Sequence, residues 1–168
     1  MIGKNVKTDG STNDLASLIG NFHTAMLVTM TAEGKHISRP MSPLGDGFTG
    51  ELWFSADRHS NVVCEINAQP QVNIAFMDEG KSNYVSASGT AQQVDDPAKV
   101  EELWNPIMNS WFEGKNDPKL TLIKVEVSSA EYWDGPGNLI SKAAYLIGSA
   151  ITGNHEILSE HKTIKNPG

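Results

Sequence analysis

The chain has 168 residues, of which 39% are hydrophobic and 20% charged, a composition typical of a single globular domain. Its formal charge of −7 argues against a general nucleic-acid binder, because such proteins depend on a basic surface. No apolar run approaches the roughly 20 residues of a membrane-spanning helix, no signal peptide is visible, and the single cysteine, Cys64, excludes an internal disulfide. We therefore expect one cytoplasmic domain over residues 1–168, with no nucleic-acid or membrane partner.

The N-terminal part of the sequence predicts a helix followed by a strand. Residues 1–10 are polar, and we expect them to be flexible. Ser11 begins a capping pattern, after which apolar residues at helical spacing continue to Phe22. The β-branched and apolar run 25–31 predicts the first strand.

The next segments predict two strands and a short helix. Residues 36–44 form the second predicted strand, although Pro40 and Pro43 cannot donate to a strand ladder. One side of this strand is therefore expected to be an edge, a bulge or a ligand site. A third strand is predicted over 51–56, and a helix follows it over 60–68.

The remaining segments predict three further strands with helices between them. Alternating or small apolar residues predict strands around 72–76, over 83–94 and over 119–132. Asp96 followed by proline is typical of a helix start. Asn105 precedes a second proline, which is expected to end this helix and cap another.

The C-terminal part follows a break rich in Gly and Pro. Residues 141–152 predict a short helix, and 153–168 are expected to be a loose tail. Regular helices do not separate the predicted strands, as parallel βαβ units would require. The sequence therefore favours a mostly β fold, a small antiparallel barrel of at least six strands with inserted helices.

One of only two arginines, Arg39, lies on the second predicted strand and carries the first functional hypothesis. The next strand ends in small polar residues and leads to a helix start at Ser60 and Asn61. A guanidinium beside a helix N-terminus can bind phosphate, because both offer N–H groups and positive charge. The alternative is that Arg39 is an ordinary surface residue of a strand.

Other chemistries receive little support from the sequence. His155 and His161 are six residues apart, so a helix would not bring both to one face for zinc. No P-loop and no nucleophile with a neighbouring base is visible. A protein without catalytic side chains can still perform redox chemistry if a cofactor supplies it.

Several segments together resemble a known family in their order and spacing. The chain resembles bacterial general stress proteins of the pyridoxamine 5′-phosphate oxidase-like, FMN-binding split-barrel superfamily from about residue 12 to the tail. The shared order and spacing of the motifs carry the resemblance. The motifs are Ser-Arg-Pro-Met at 38–41, Leu-Trp-Phe-Ser at 52–55, the helix beginning at Ser60, Pro70–Val72, Tyr84–Gly89, Trp111–Phe112, Asp117–Pro118 and Ala130–Asp134.

Members of this superfamily are six-stranded split barrels that form homodimers and bind two FMN molecules at the subunit interface. The resemblance implies that Arg39 grips the FMN phosphate, with further donors from the start of the helix at 60. The end of the third strand would contact the ring edge and the ribityl chain, and aromatic residues of the partner would face the ring. The implied cofactor-binding residues are Ser38, Arg39, Pro40, Met41, Phe54, Ser55, Ala56, Ser60, Asn61, Tyr84, Trp111 and Trp133. For the last three, packing in the core or the dimer is the alternative.

Two departures from the family pattern qualify this expectation. Val62 stands where the family usually has a lysine, so one phosphate contact is missing, with Arg58 or Lys81 as candidate replacements. No arginine follows Arg58, whereas pyridoxamine phosphate oxidases hold the phosphate of their substrate with a C-terminal tryptophan, arginines and a histidine. We therefore expect that the protein is not a vitamin B6 oxidase.

Three functions remain open from the sequence. The first is an FMN-dependent oxidoreductase of unknown substrate that takes electrons from NAD(P)H and serves in a general stress response. The second is a flavin-binding protein that stores flavin without turnover. The third is a split barrel that binds haem, to which His155 and His161 lend weak support.

Overall fold

Seven antiparallel strands and three short helices make up the described part of the chain. The computed structural model describes residues 19–20, 22–134 and 160–165. The predicted helix over 141–152, the flexible segment 1–10 and most of the first predicted helix lie outside these residues. The strands are β1 Ala25–Met30, β2 His36–Met41, β3 Glu51–Asp57, β4 Gln71–Asp78, β5 Asn83–Val94, β6 Leu120–Asp134 and β7 Glu160–Lys165. The helices are α1 Asn61–Ala68, α2 Pro97–Leu103 and a 3-10 helix at Pro106–Ser110.

The strand order confirms the predicted antiparallel split barrel. Six strands follow the path β2-β1-β4-β5-β6-β3, and β7 pairs with β6 outside this path. The expectation of a loose tail over 153–168 is wrong for residues 160–165, because they form β7. The reason lies in β6, which extends beyond the end of β3 and offers an unpaired edge over 129–134 that β7 completes.

A β-bulge on β6 divides the sheet into its two halves. Gly89 pairs with Val127 while Ser88 pairs with Ser129, so Ser128 is the extra residue. Before the bulge β6 pairs with β3, and after it β6 pairs with β7. A Cβ on Gly89 would lie 2.3 Å from the Glu126 carbonyl oxygen, so this close approach requires glycine.

The gap between β2 and β3 is the split of the barrel. Within the described residues, β2 pairs only with β1, which confirms that the strand containing Pro40 has a free edge. The chain beyond β2 reaches β3 at one point, where the Leu44 N–H donates to the Trp53 carbonyl at 2.8 Å. The two strands are therefore tied at Leu44 and remain separate on either side of it.

Alternating burial places one face of each strand in the core. On β3, Leu52, Phe54 and Ala56 are buried while the residues between them are half exposed. Helix α1 covers this core with its own apolar residues, including Val62. A second cluster, around Met108, packs α2 and the 3-10 helix onto the outside of β6. These helices thereby stand over the split between β2 and β3.

Both predicted helix caps are present. The Asp96 carboxylate accepts from the Ala98 N–H at 2.9 Å at the start of α2. The Asn105 side chain accepts from the Ile107 N–H at 3.1 Å and begins the 3-10 helix. Asx capping followed by proline thus fixes the chain path that carries Trp111 towards the split.

Candidate functional site

A cleft of about 540 Å³ opens at the split of the barrel. One wall is the end of β2 with Thr24 beside it, the second is the end of β3, and the third is the 3-10 helix with the residues after it. Its volume lies within the range of small-molecule sites, roughly 300–1,000 Å³. The lining residues are Thr24, Pro40, Met41, Ser42, Leu44, Ser55, Ala56, Asp57, Ile107, Met108, Trp111 and Phe112.

Five of the residues predicted from the sequence line this cleft together. Pro40 and Met41 come from β2, Ser55 and Ala56 come from β3, and Trp111 follows the 3-10 helix. Trp111 is 65% exposed while it lines the cleft, so much of its indole surface is open to a ligand. The structure thus brings together residues that are up to 71 positions apart in the sequence.

The backbone of Ser55 offers hydrogen-bonding groups to the cleft. Backbone groups of an antiparallel strand alternate between its two neighbours. Because the Trp53 carbonyl accepts from Leu44, the N–H and C=O of Ser55 point to the same side, away from β6. Over the described residues, no strand pairs with Ser55 on that side, so its donor and acceptor are open to a flat ligand.

Arg39 lies beside the cleft and is held in an ion pair. Its Nη2 donates to Glu65 Oε2 at 2.7 Å, and its Nη1 donates to Thr29 Oγ1 at 2.8 Å. The Thr29 hydroxyl in turn donates to the same carboxylate oxygen at 2.5 Å. Thr29 lies opposite Ile37, so the guanidinium leans along β2 away from Met41 and the cleft.

The environment of Glu65 stabilises its ionised form. Burial acts to raise the pKa of this carboxyl, but the hydrogen bonds from Thr29 and Arg39 and the charge of Arg39 outweigh it. The pKa of Glu65 is therefore held below its ordinary value. With side chains only 12% and 20% exposed, Glu65 and Arg39 form a largely buried pair.

This pair predicts a specific dependence of stability on pH. Because the pKa of Glu65 is lowered in the folded protein, its ionised form stabilises the fold above the ordinary value of 4.5. The stabilisation is lost as the pH falls from 4.5 through the lower folded value. We expect Glu65→Gln to cost about 1–2 kcal/mol of unfolding free energy at pH 7 and much less at pH 3, measured by urea unfolding. As a control, Glu102→Gln, which removes an exposed partner of Lys99, should change the unfolding free energy by under about 0.5 kcal/mol at both pH values. An equal loss of unfolding free energy for Glu65→Gln at pH 3 and at pH 7 would contradict the prediction.

The other residues predicted from the sequence lie outside the cleft lining. Phe54 is fully buried in the core, and Ser38 is exposed on β2. Tyr84, 40% exposed, lies opposite Trp133 on the pair β5–β6. The structure does not bring these side chains to the wall formed by Ser55.

The start of α1 also makes no contribution to the cleft lining. The Ser60 hydroxyl donates to the Asp57 carbonyl at 2.5 Å, and Asn61 is exposed. Val62, at the position where the family usually has a lysine, is buried in the core. This helix start therefore presents neither a basic side chain nor an uncommitted hydroxyl.

Arg58 is committed to holding the chain together. Its guanidinium donates to the carbonyls of Pro118 and Leu120 at 2.7 and 3.0 Å, and it pairs with Asp95 at 3.2 Å. It thereby joins the end of β3 to the loop before β6. The structure gives no support to Arg58 as a replacement for the missing lysine.

Several cleft residues were not predicted from the sequence. The start of β1, the turn after β2 and the 3-10 helix meet only through the fold, and their residues carry no motif. Two signals were available: Pro40 marks the free edge of β2, and the motif Trp111–Phe112 includes Phe112 beside a predicted site residue. The residues missed are Thr24, Ser42, Leu44, Asp57, Ile107, Met108 and Phe112.

The described ranges hold no sign of a metal centre or of a membrane-spanning helix. These residues contain no group of three or more His, Cys, Asp or Glu side chains placed to hold a metal ion. No helix among them is both long and apolar enough to cross a membrane. His155 lies outside the described residues, and nothing is described of the His161 side chain.

The split barrel with a cleft between β2 and β3 defines a class of antiparallel β proteins, and the comparisons with known proteins identify the family. The family model for pyridoxamine 5′-phosphate oxidase-like proteins matches residues 10–156, so the chain belongs to that family. A curated relative, protein bli-3 of Neurospora crassa, is 26% identical over 95% of this chain and 81% of its own length.

Two solved structures are similar. A protein assigned as general stress protein 26 from Jannaschia sp. CCS1 has a TM-score of 0.70 at 23% identity, with 89% of this chain and 94% of that chain covered. The general stress FMN/FAD binding protein of Xanthomonas citri has a TM-score of 0.62 at 30% identity, with 69% and 82% covered. The first supports the fold, and the second supports the family as well.

Proposed function

We propose that the cleft binds the isoalloxazine ring of a flavin, with FMN as the natural form. The observation that carries this proposal is the meeting of Pro40, Met41, Ser55 and Trp111 in one cleft of about 540 Å³. Its walls are mostly apolar, and Ser55 adds a backbone donor and acceptor, a combination that suits a flat ring with a polar edge. The Xanthomonas citri relative, described as FMN/FAD binding, supports the same ligand class.

The residues of the chain would bind and orient the ring. Met41 and Trp111 offer apolar surface to its faces, and the Ser55 backbone offers hydrogen bonds to its edge. Arg39 is adjacent in sequence to the lining residue Pro40, and its guanidinium is paired with Glu65. A bound flavin would supply hydride and electron transfer. We therefore propose a flavin-dependent oxidoreductase with NAD(P)H as electron donor, and we do not propose vitamin B6 oxidation.

We further propose that two copies of the chain form the complete site in the cytoplasm. Trp111 and Ile107 are 65% and 54% exposed beside the cleft, and Tyr84 and Met77 are also exposed. Large apolar side chains at the surface are typical of residues that a partner covers. A second copy would shield the ring from water and contribute aromatic surface to it.

Titration of the purified protein with FMN, followed by flavin fluorescence, tests the proposed cleft. We expect Trp111→Ala to weaken FMN binding by about ten-fold or more, because an indole stacked on a ring contributes about 1–3 kcal/mol. Glu102→Ala, which truncates a side chain that is 63% exposed and lies outside the cleft lining, should leave the affinity unchanged. No binding of FMN at high micromolar concentration would overturn the proposal.

A further inference from the structure

Both arginines of the chain are neutralised by the protein itself. Arg39 is paired with Glu65, and Arg58 is paired with Asp95 and bonded to two backbone carbonyls. Asp57, which lines the cleft, adds a negative charge to its wall. Within the described residues, both arginines have an acidic partner. The surroundings of the cleft therefore offer no unpaired arginine to a phosphate group.

A phosphate at Arg39 would compete with Glu65. Both are anions, and the Arg39 side chain is only 20% exposed, so the guanidinium has little room for a second anion beside the first. In the alternative arrangement, Glu65 would orient Arg39 so that its remaining N–H groups bind phosphate. The direction of the side chain disfavours this, because the guanidinium reaches towards Thr29, which is 1% exposed, and away from Met41.

We infer that Glu65 is a specificity-determining residue. By pairing with Arg39, it leaves the cleft with almost no preference between a flavin that carries a phosphate and one that does not. This inference rests on the proposed flavin binding and deepens it. The isoalloxazine ring and ribityl chain, common to riboflavin and FMN, supply nearly all of the affinity. Arg39 becomes a phosphate ligand only when the charge of Glu65 is removed.

Parallel titrations with FMN and riboflavin test this role of Glu65. The wild-type protein should bind the two flavins with dissociation constants within about three-fold of each other. Glu65→Gln removes the charge that holds the guanidinium beside Thr29, so Arg39 can turn towards the phosphate, and FMN binding should tighten about ten-fold while riboflavin binding stays constant. Adding Arg39→Gln to this variant should return the two affinities to near equality. Glu102→Gln, which removes an exposed carboxylate elsewhere, should change neither affinity.

The outcomes separate this inference from the proposed function. The inference is overturned if the wild-type protein binds FMN at least ten-fold more tightly than riboflavin, or if Glu65→Gln fails to increase the preference for FMN. Flavin binding would then still stand. If neither flavin binds the wild type or Glu65→Gln, the proposed function fails and the inference falls with it. Thermal unfolding of each variant shows whether it is folded at the titration temperature.

Discussion

Replacing Arg39 by alanine is expected to lower the unfolding free energy by about 3 kcal/mol. The change leaves the Glu65 carboxylate largely buried and opposite no cation, and it removes a donor from Thr29. Breaking a buried pair by removing one partner typically costs about 3–5 kcal/mol, and the residual exposure of this pair places it at the lower end. Thermal unfolding should show a decrease in Tm of about 6–12 °C for a chain of this size.

Lys115→Ala provides the matched control for Arg39→Ala. Lys115 pairs with Glu101 at the surface, where the side chains are 37% and 68% exposed. Exposed pairs contribute about 0–1 kcal/mol, so this variant should unfold within about 3 °C of the wild type. If Arg39→Ala is no less stable than Lys115→Ala, the pair with Glu65 does not stabilise the fold.

Replacing Gly89 by alanine is expected to be comparably damaging. The added Cβ would lie 2.3 Å from the Glu126 carbonyl oxygen and 3.0 Å from a Val125 methyl group, and the backbone atom cannot turn aside. Gly89 sits at the bulge where β6 leaves β3 for β7, so relief of the clash must shift strand pairing. We expect a loss of about 3 kcal/mol in urea unfolding, at the upper end for overpacking.

Gly80→Ala is the control for the replacement of Gly89. At Gly80 the nearest atom to an added Cβ is a carboxylate oxygen of Asp78 at 3.2 Å, and this half-exposed side chain at the end of β4 can move. We expect a change of under about 1 kcal/mol. Equal stability of the two variants would show that the bulge tolerates a side chain at Gly89.

The fold was largely predictable because its signals are local. Alternating burial on β3, the capping residues Asp96 and Asn105, and the free edge marked by Pro40 each follow from a few neighbouring residues. Strand β7 was missed because its residues show no clear alternation, and it forms on an edge that β6 supplies. The bulge at Gly89 involves a close approach to the backbone of Glu126. No local sequence pattern predicts this contact.

The candidate site was predictable only in part. Pro40, Met41, Ser55 and Trp111 meet in the cleft, as their order in the family motifs implied. The partner of Arg39 was not predictable from the sequence. Glu65 lies 26 residues away, on a helix face that the sequence pattern predicts to be exposed to solvent. Long-range pairing of charges depends on how elements pack, and it decides whether an arginine is open to a ligand or committed within the protein.

The most direct test of the proposed flavin cleft is a crystal structure of the protein grown with saturating FMN. We expect the isoalloxazine ring between Met41 and the end of β3, with its edge bonded to the Ser55 backbone and Trp111 against it. Arg39 should remain on Glu65. A ring bound away from these residues, or an empty cleft at saturating FMN, would contradict the proposal.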